Sequence, residues 1–283
     1  MSDSAFVSHD DNSPSASEGQ PVSAVAPMKL YPTKDSKMVS AFWAEKFDKD
    51  AEKHWDVFYK NNQEKFFKDR HYLFREFPGL TPPDGATEHR VLELGCGAGN
   101  TVYPVLESDP RILVACCDFS HRAVQLVRQH PQYDPERVNA FQCDITAKDL
   151  TDNVSQGSVD AVMLIFVLSA ISPSKMPAAI RNLAVVMRRS TESRVFVRDY
   201  AAGDLAEERL ESKSHRKISD NFYVRGDGTR AYYFTEEVLR TLFEAEGFET
   251  VEMQVKETEV ENRARKLKMD RRWIQAHFRL RDP

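Results

Sequence analysis

Three glycines stand where an apolar run gives way to a helical pattern: in VLELGCGAGNTVYPVL, Gly95, Gly97 and Gly99 follow Leu94. Residues without a Cβ let the backbone turn tightly and approach a ligand, and a helix starting there offers free N–H groups. Two acids extend the pattern. Asp118 ends the next apolar run, ILVACCD, at a distance from the glycines that suits bidentate hydrogen bonding to ribose hydroxyls. Asp144 ends VNAFQCD in the same manner, where a carboxylate can accept from an adenine amino group. A nicotinamide site asks for G-x-G-x-x-G, and the sixth position here is Asn100. The plainer reading, in which Asp118 and Asp144 only cap helices before Ser120 and Thr146, stays open at this point.

Such residues need a frame to hold them. Short apolar runs at 90–94, 112–118, 138–144, 160–169 and 194–200 alternate with amphipathic stretches such as HRAVQLVRQH and KMPAAIRNLAVVMRR. That β-α-β alternation predicts an α/β fold with a parallel, doubly wound sheet. TEEVLRTLFEAEGF reads as a helix begun by Thr235 and stopped near Gly247. TVEMQVKETEV and RRWIQAHFRL then predict two strands added antiparallel at the sheet edge. Upstream, Phe42, Trp43, Phe47, Ala51, Trp55 and Phe58 recur near helical spacing, and a loop rich in Pro and Gly over 78–85 separates them from the sheet. Residues 1–27, rich in Ser, Asp and Pro, read as a disordered tail.

Bulk properties narrow the partners. The formal net charge is −5, but residues 1–27 hold four acids and no Lys or Arg, so the rest is close to neutral and bulk electrostatics alone do not bind nucleic acid. Cys96, Cys116, Cys117 and Cys143 lack C-x-x-C spacing and adjoin apolar runs, which predicts buried free thiols and no metal. No apolar run suits a membrane span, and no signal or transit pattern opens the chain. The expected compartment is the cytoplasm, with the nucleus open as well.

The motifs ELGCGAGN, CDFS, CDIT and DAVMLIFVLSA, with FFKDRHYL, FVRDY, NFYVRGDGTRAYYFT and RRWIQ, resemble the class I S-adenosylmethionine-dependent methyltransferases, specifically the enzymes that make 3-methylcytidine in tRNA. The resemblance runs from about Phe42 to Leu280. It implies a Rossmann-like, seven-stranded, mostly parallel sheet with an antiparallel edge strand and an N-terminal helical extension. By the same resemblance Gly95 and Gly97 hold the methionine part of S-adenosyl-L-methionine, Asp118 its ribose, and Asp144 with Ile145 its adenine. Ile165 lies near the methyl group, and Trp55 and Tyr59 close over the donor. The acceptor implied is cytidine 32 of the tRNA anticodon loop, and the tail NRARKLKM is nearer the threonine-tRNA branch. Some members use an aminoacyl-tRNA synthetase or another adaptor. The family's K-P-G-G turn before the fifth strand is replaced here by RRSTES.

Within that chemistry the residues restrict the acceptor atom. Methylation of carbon 5 of cytosine needs a cysteine nucleophile, and neither IFVLSAISPSKM nor FVRDYAAGD has one. Exocyclic amines are commonly served by Asn/Asp-Pro-Pro-aromatic after the fourth strand, where this chain has IFVL. N3 of cytidine owns a lone pair and needs no base; positive charge develops on the ring, so a nearby carboxylate helps. Asp199 is the candidate, with Arg198 organising it or touching a phosphate; a salt bridge from Arg198 to a neighbouring acid is the alternative. An acceptor on the pairing edge must leave its stack and lie between aromatic or apolar faces. Phe66, Phe67, Tyr72, Phe222 and Tyr223 are candidates for that, each equally suited to the core. Lys68, Asp69 and Arg70 are expected to serve the acceptor and not the fold. Arg225 and Arg230 flank the turn Gly226-Asp227-Gly228, which predicts a hairpin presenting two guanidiniums. The basic run RARKLKMDRR reads as a phosphate contact or a solvated loop.

The expected organisation is a tail over 1–27, a helical and aromatic extension over 28–85 serving as donor lid and tRNA contact, and a methyltransferase domain over 86–283. A methyltransferase of a protein or small molecule, or an inactive RNA-binding subunit, are the competing readings.

Overall fold

The computed structural model describes residues 38–262 and 267–281; the tail read over 1–27 and the basic positions Arg263, Arg265 and Lys266 lie outside the described residues. The aromatic periodicity upstream of the glycines forms two helices, α1 (Ala41–Lys49) and α2 (Ala51–Asn62), and a short α3 (Leu73–Glu76) precedes the breaker-rich loop. Alternation then begins with β1 (His89–Leu94), α4 (Val102–Ser108), β2 (Ile112–Asp118), α5 (His121–Gln129) and β3 (Val138–Gln142). It continues through β4 (Ala161–Ile165), α6 (Met176–Val186) and β5 (Arg194–Tyr200). After α7 (Leu205–Glu211) come three short strands, β6 (Lys217–Ser219), β7 (Phe222–Val224) and β8 (Arg230–Tyr232). The chain closes with α8 (Glu236–Ala245) and a long hairpin, β9 (Phe248–Asn262) and β10 (Leu267–Leu280).

Seven strands form one sheet in the order β3-β2-β1-β4-β5-β10-β9, and β6-β7-β8 form a second, small sheet. β1 to β5 run parallel; the closing hairpin completes the edge, with β10 antiparallel between β5 and β9. Both faces of the main sheet are covered, so its strands alternate between two apolar clusters. Leu92, Leu94, Val162, Leu164, Val195 and Val197 face α6 and α8, whereas Val91, Met163, Ile165 and Phe196 face Leu73, Phe77 and α4. Each such side chain, near complete burial, contributes roughly 1.5–3 kcal/mol. Local chemistry sets the helix starts: Ser120 accepts from the Ala123 N–H ahead of α5, and Thr235 from the Val238 N–H ahead of α8.

One strand is shorter than its apolar run suggests. β4 stops at Ile165 because Phe166 adopts φ +61°, and Leu168–Ala170 form a 3-10 turn. Apolarity alone cannot distinguish a strand from a buried turn that follows it.

Candidate active site

Strand order reverses between β1 and β4, the place where open α/β sheets hold ligands beyond the carboxyl ends of their strands. A cavity of about 240 Å³ lies there, and Trp55, Tyr59, Gly95, Asp118, Asp144 and Ile145 all line it. Gly95 has φ +62°, and a Cβ on it would sit 2.6 Å from Val167. Gly97, φ +55°, is needed for a different reason: a Cβ there would meet the Tyr59 hydroxyl at 2.7 Å, so the glycine lets α2 close onto the loop.

Each of the two acids accepts from turn N–H groups and lines the cavity as well. Asp118 accepts from the Gly97 N–H at 3.0 Å and the Ser120 N–H at 2.9 Å. Burial pushes its carboxyl up to about 6 against those bonds. Asp144 accepts from the Thr146 N–H at 2.9 Å and the Thr146 hydroxyl at 2.7 Å. α2 is held over this end by Asp56, which accepts from the Ser120 hydroxyl, while Trp55 and Tyr59 stack at 6.0 Å.

The segment FFKDR is a strap on the glycine loop. The Asn100 amide donates to Asp69 at 3.0 Å and to the Phe67 carbonyl at 3.2 Å, and the Arg70 N–H donates to the Asn100 carbonyl. The Arg70 guanidinium donates to the Thr101 hydroxyl at 2.7 Å and lies 3.7 Å from Glu93. Glu93 is fully buried in β1, and burial pushes its carboxyl up to about 8, with Arg70 opposing. Asp69 and Arg70 therefore brace the fold, against the expectation that they serve the acceptor alone. Lys68 is exposed, Phe66 is 57% exposed, and Phe67 is half-buried against Phe58.

Several expected site residues point elsewhere. Successive strand residues face opposite sides of a sheet, so Arg198 and Asp199 cannot act on each other. Arg198 lies on the Phe196 face, where its guanidinium meets Gln275 at 3.0 Å and the rings of Tyr72 and Trp273 at 5.0 and 5.1 Å. Asp199 is fully buried on the other face and accepts from the N–H groups of Ser169 and Tyr200. Burial pushes its carboxyl up to about 6. It braces the turn after β4 and does not line the cavity. Ile165 is packed in the core, and the cavity wall passes to Phe166 and Val167.

The hairpin exists but is not a free display of two guanidiniums. Arg230 is buried, donating to Asp48 at 2.6 Å, the Ser172 hydroxyl at 2.6 Å and the Ala170 carbonyl at 3.2 Å. Gly228 is seated on α2, where a Cβ would meet His54. Tyr223 is 2% exposed and packs on Tyr233, so its ring is unavailable to a base; Phe222 is buried too. Arg225 is half-buried with its guanidinium 5.2 Å from the Tyr200 ring.

Sequence reasoning passed over Asp48, Phe166, Ser172 and Lys175, all of which line the cavity. Asp48 pairs with Lys175 at 2.7 Å as well as with Arg230, and these partners outweigh burial to hold its carboxyl near 2. No motif marks Asp48, because its partners lie more than a hundred residues away in the chain.

Comparison with known proteins agrees with this architecture. The family described as "Methyltransferase domain" matches residues 92–191. The chain is 45% identical over 248 residues to "tRNA N(3)-cytidine methyltransferase METTL6" of Rattus norvegicus, covering 87% of this chain and 85% of that protein. It is 43% identical over 241 residues to "tRNA N(3)-methylcytidine methyltransferase Mettl2" of Drosophila melanogaster, covering 83% and 73%. Among solved structures, a SAM-dependent methyltransferase from Anabaena variabilis superposes with a TM-score of 0.59 at 12% identity, covering 81% of this chain and 95% of that one; this likeness shows the fold. With the strand order, the switch-point cavity and this degree of identity together, the chain belongs to the tRNA N(3)-cytidine methyltransferase family.

Proposed function

We propose that the protein transfers a methyl group from S-adenosyl-L-methionine to N3 of a cytidine in tRNA, the cytidine being position 32 of the anticodon loop in threonine tRNAs. The observation that carries the reaction is the cavity at the switch point, lined by Gly95, Asp118 and Asp144, in a chain 45% identical to a relative named for this chemistry. The residues fit the donor. Asp118 has the place and charge to accept from ribose hydroxyls, Asp144 with Ile145 to meet the adenine, and Gly95 the close approach its methionine part needs. Trp55 and Tyr59 cover it from α2. When bound, S-adenosylmethionine supplies an electrophilic methyl group on a sulfonium.

No residue is asked to remove a proton, because N3 already carries a lone pair. The chain's task is alignment and exclusion of water, and alignment alone can supply roughly 7–11 kcal/mol of a bimolecular barrier. Residues 28–85 serve as donor lid and RNA contact, with exposed Phe66 and Lys68 and half-buried Phe67 offered to the anticodon arm, and half-buried Arg225 of the β7–β8 hairpin is offered beside them. Residues 86–283 carry the transfer. An aminoacyl-tRNA synthetase or another adaptor would add affinity that a near-neutral body lacks. No helix among the described residues is long and apolar enough to cross a membrane, and the cytoplasm is the proposed site of action.

The test is incubation of the purified chain with labelled donor and total tRNA, followed by nucleoside analysis and mapping. 3-Methylcytidine at position 32 of threonine tRNAs is expected. Label in 5-methylcytidine, or in protein alone, refutes the reaction; 3-methylcytidine in other tRNAs refutes only the choice of acceptor.

A further inference from the structure

Phe166 is the one cavity-lining residue among those described whose backbone is strained without being glycine: φ is +61°, a region that costs a bulky side chain about 1–3 kcal/mol. The surroundings hold it there. Its N–H donates to the Arg198 carbonyl at 2.7 Å, and the turn behind it is braced by Asp199 through the Ser169 N–H and by Arg230 through the Ala170 carbonyl. Strain maintained by so many contacts points to a ring that must occupy a particular place. That place is the gap beyond the carboxyl ends of β4 and β5, where the Phe166 ring lies 5.1 Å from the ring of Tyr200, the last residue of β5. Both rings are half-buried, and the Arg225 guanidinium lies over Tyr200. Phe166 lines the cavity and its ring meets Tyr200, which does not line it, so the ring stands between the donor cavity and the Tyr200 cluster.

We propose that Phe166 and Tyr200 form the platform on which the acceptor pyrimidine stacks, Phe166 presenting N3 to the donor cavity. This rests on the reaction proposed above. A base whose N3 gains a methyl group becomes a cation: the N3 lone pair forms the new N–CH3 bond, the S–CH3 electron pair stays on sulfur, and the positive charge moves from sulfonium to ring. An aromatic face attracts that charge as it develops, so the two rings act on the rate and not only on binding.

Phe166→Leu keeps apolar bulk and removes the π face; Phe166→Tyr keeps both. Each would be purified with the wild type and measured for melting temperature, affinity for S-adenosylhomocysteine, steady-state constants on tRNA, and quenching of a fluorescent cytosine analogue at the mapped acceptor position of an anticodon stem-loop. The platform predicts that Phe166→Leu lowers kcat about tenfold and abolishes quenching while S-adenosylhomocysteine affinity falls much less than kcat, and that Phe166→Tyr restores both. Equal losses of S-adenosylhomocysteine affinity and rate would make Phe166 a wall of the donor cavity only and overturn the proposal. Wild-type quenching and kcat in Phe166→Leu would overturn it too. Absence of 3-methylcytidine from wild-type reactions would overturn the underlying reaction, and is read before any variant is made.

Discussion

At the scale of single residues, Glu93 and Arg70 form the most consequential pair beneath the glycine loop. A fully buried carboxyl with one cation 3.7 Å away is held protonated near neutrality, its value pushed from 4.5 to about 8 by burial. A carboxyl whose folded value lies above its unfolded one adds stability that is complete below pH 4.5 and is lost as pH rises through 8. Asp118 and Asp199, both near 6, act in the same direction over a lower range. The melting temperature of the ligand-free protein is therefore expected to fall between about pH 6 and 8, and Glu93→Gln to flatten that decline. Parallel profiles for the two proteins in a calorimetric series would remove Glu93 as the cause. Asp118→Ala, in the cavity wall, is expected to abolish donor binding, as titration calorimetry with S-adenosylhomocysteine would read, because it removes the proposed ribose acceptor and frees the Gly97 and Ser120 N–H groups.

At the scale of elements, the contacts of Asp48 join three parts of the chain: α1, the loop after β4 and the start of β8. Arg230 was expected to meet RNA from an exposed hairpin; its burial gives it instead the role of holding α1 at the cavity mouth. Breaking a buried pair costs about 3–5 kcal/mol, and Asp48 is partly exposed, so Asp48→Ala is expected to destabilise by about 2 kcal/mol in chemical denaturation. Because Asp48 and Arg230 both line the cavity, Asp48→Ala and Arg230→Ala should each weaken S-adenosylhomocysteine binding by about tenfold. Unchanged affinity in both variants would show that α1 keeps its place without the ion pair.

For the whole molecule, charge decides how tRNA is held. The formal net charge of −5 gives no long-range attraction, so association depends on local cations such as the exposed Lys65 and Lys68 beside Phe66. Few phosphate contacts mean weak salt dependence: the logarithm of the association constant should fall with the logarithm of salt concentration with a slope of about −3. Lys65→Ala with Lys68→Ala should reduce that slope by about 2 while leaving S-adenosylhomocysteine affinity unchanged. A slope near −8 would instead require a broad basic footprint. Filter binding across a salt series distinguishes them.

Sequence by itself determined what is local and periodic. Strand alternation, the glycine turn of GCGAG, the acid that ends β2 and the Thr235 cap are each dictated within a few residues, and all are found in the fold, whereas β3 stops at Gln142, two residues short of Asp144. Asp144 shows the limit even there, since a carboxylate just past a strand end reads as cap or ligand, and it both caps a turn and lines the cavity. Tertiary structure alone decided which side chains face the cavity. FFKDR and RDY look like surfaces for a substrate, yet Asp69, Arg70, Arg198 and Asp199 turn to partners from distant parts of the chain. The period of two in β5 sends Arg198 and Asp199 to opposite faces, and the φ of Phe166 ends β4 where hydropathy continues. These are long-range choices, fixed by burial and by satisfaction of charged groups in the packed molecule, and no short window of sequence contains them.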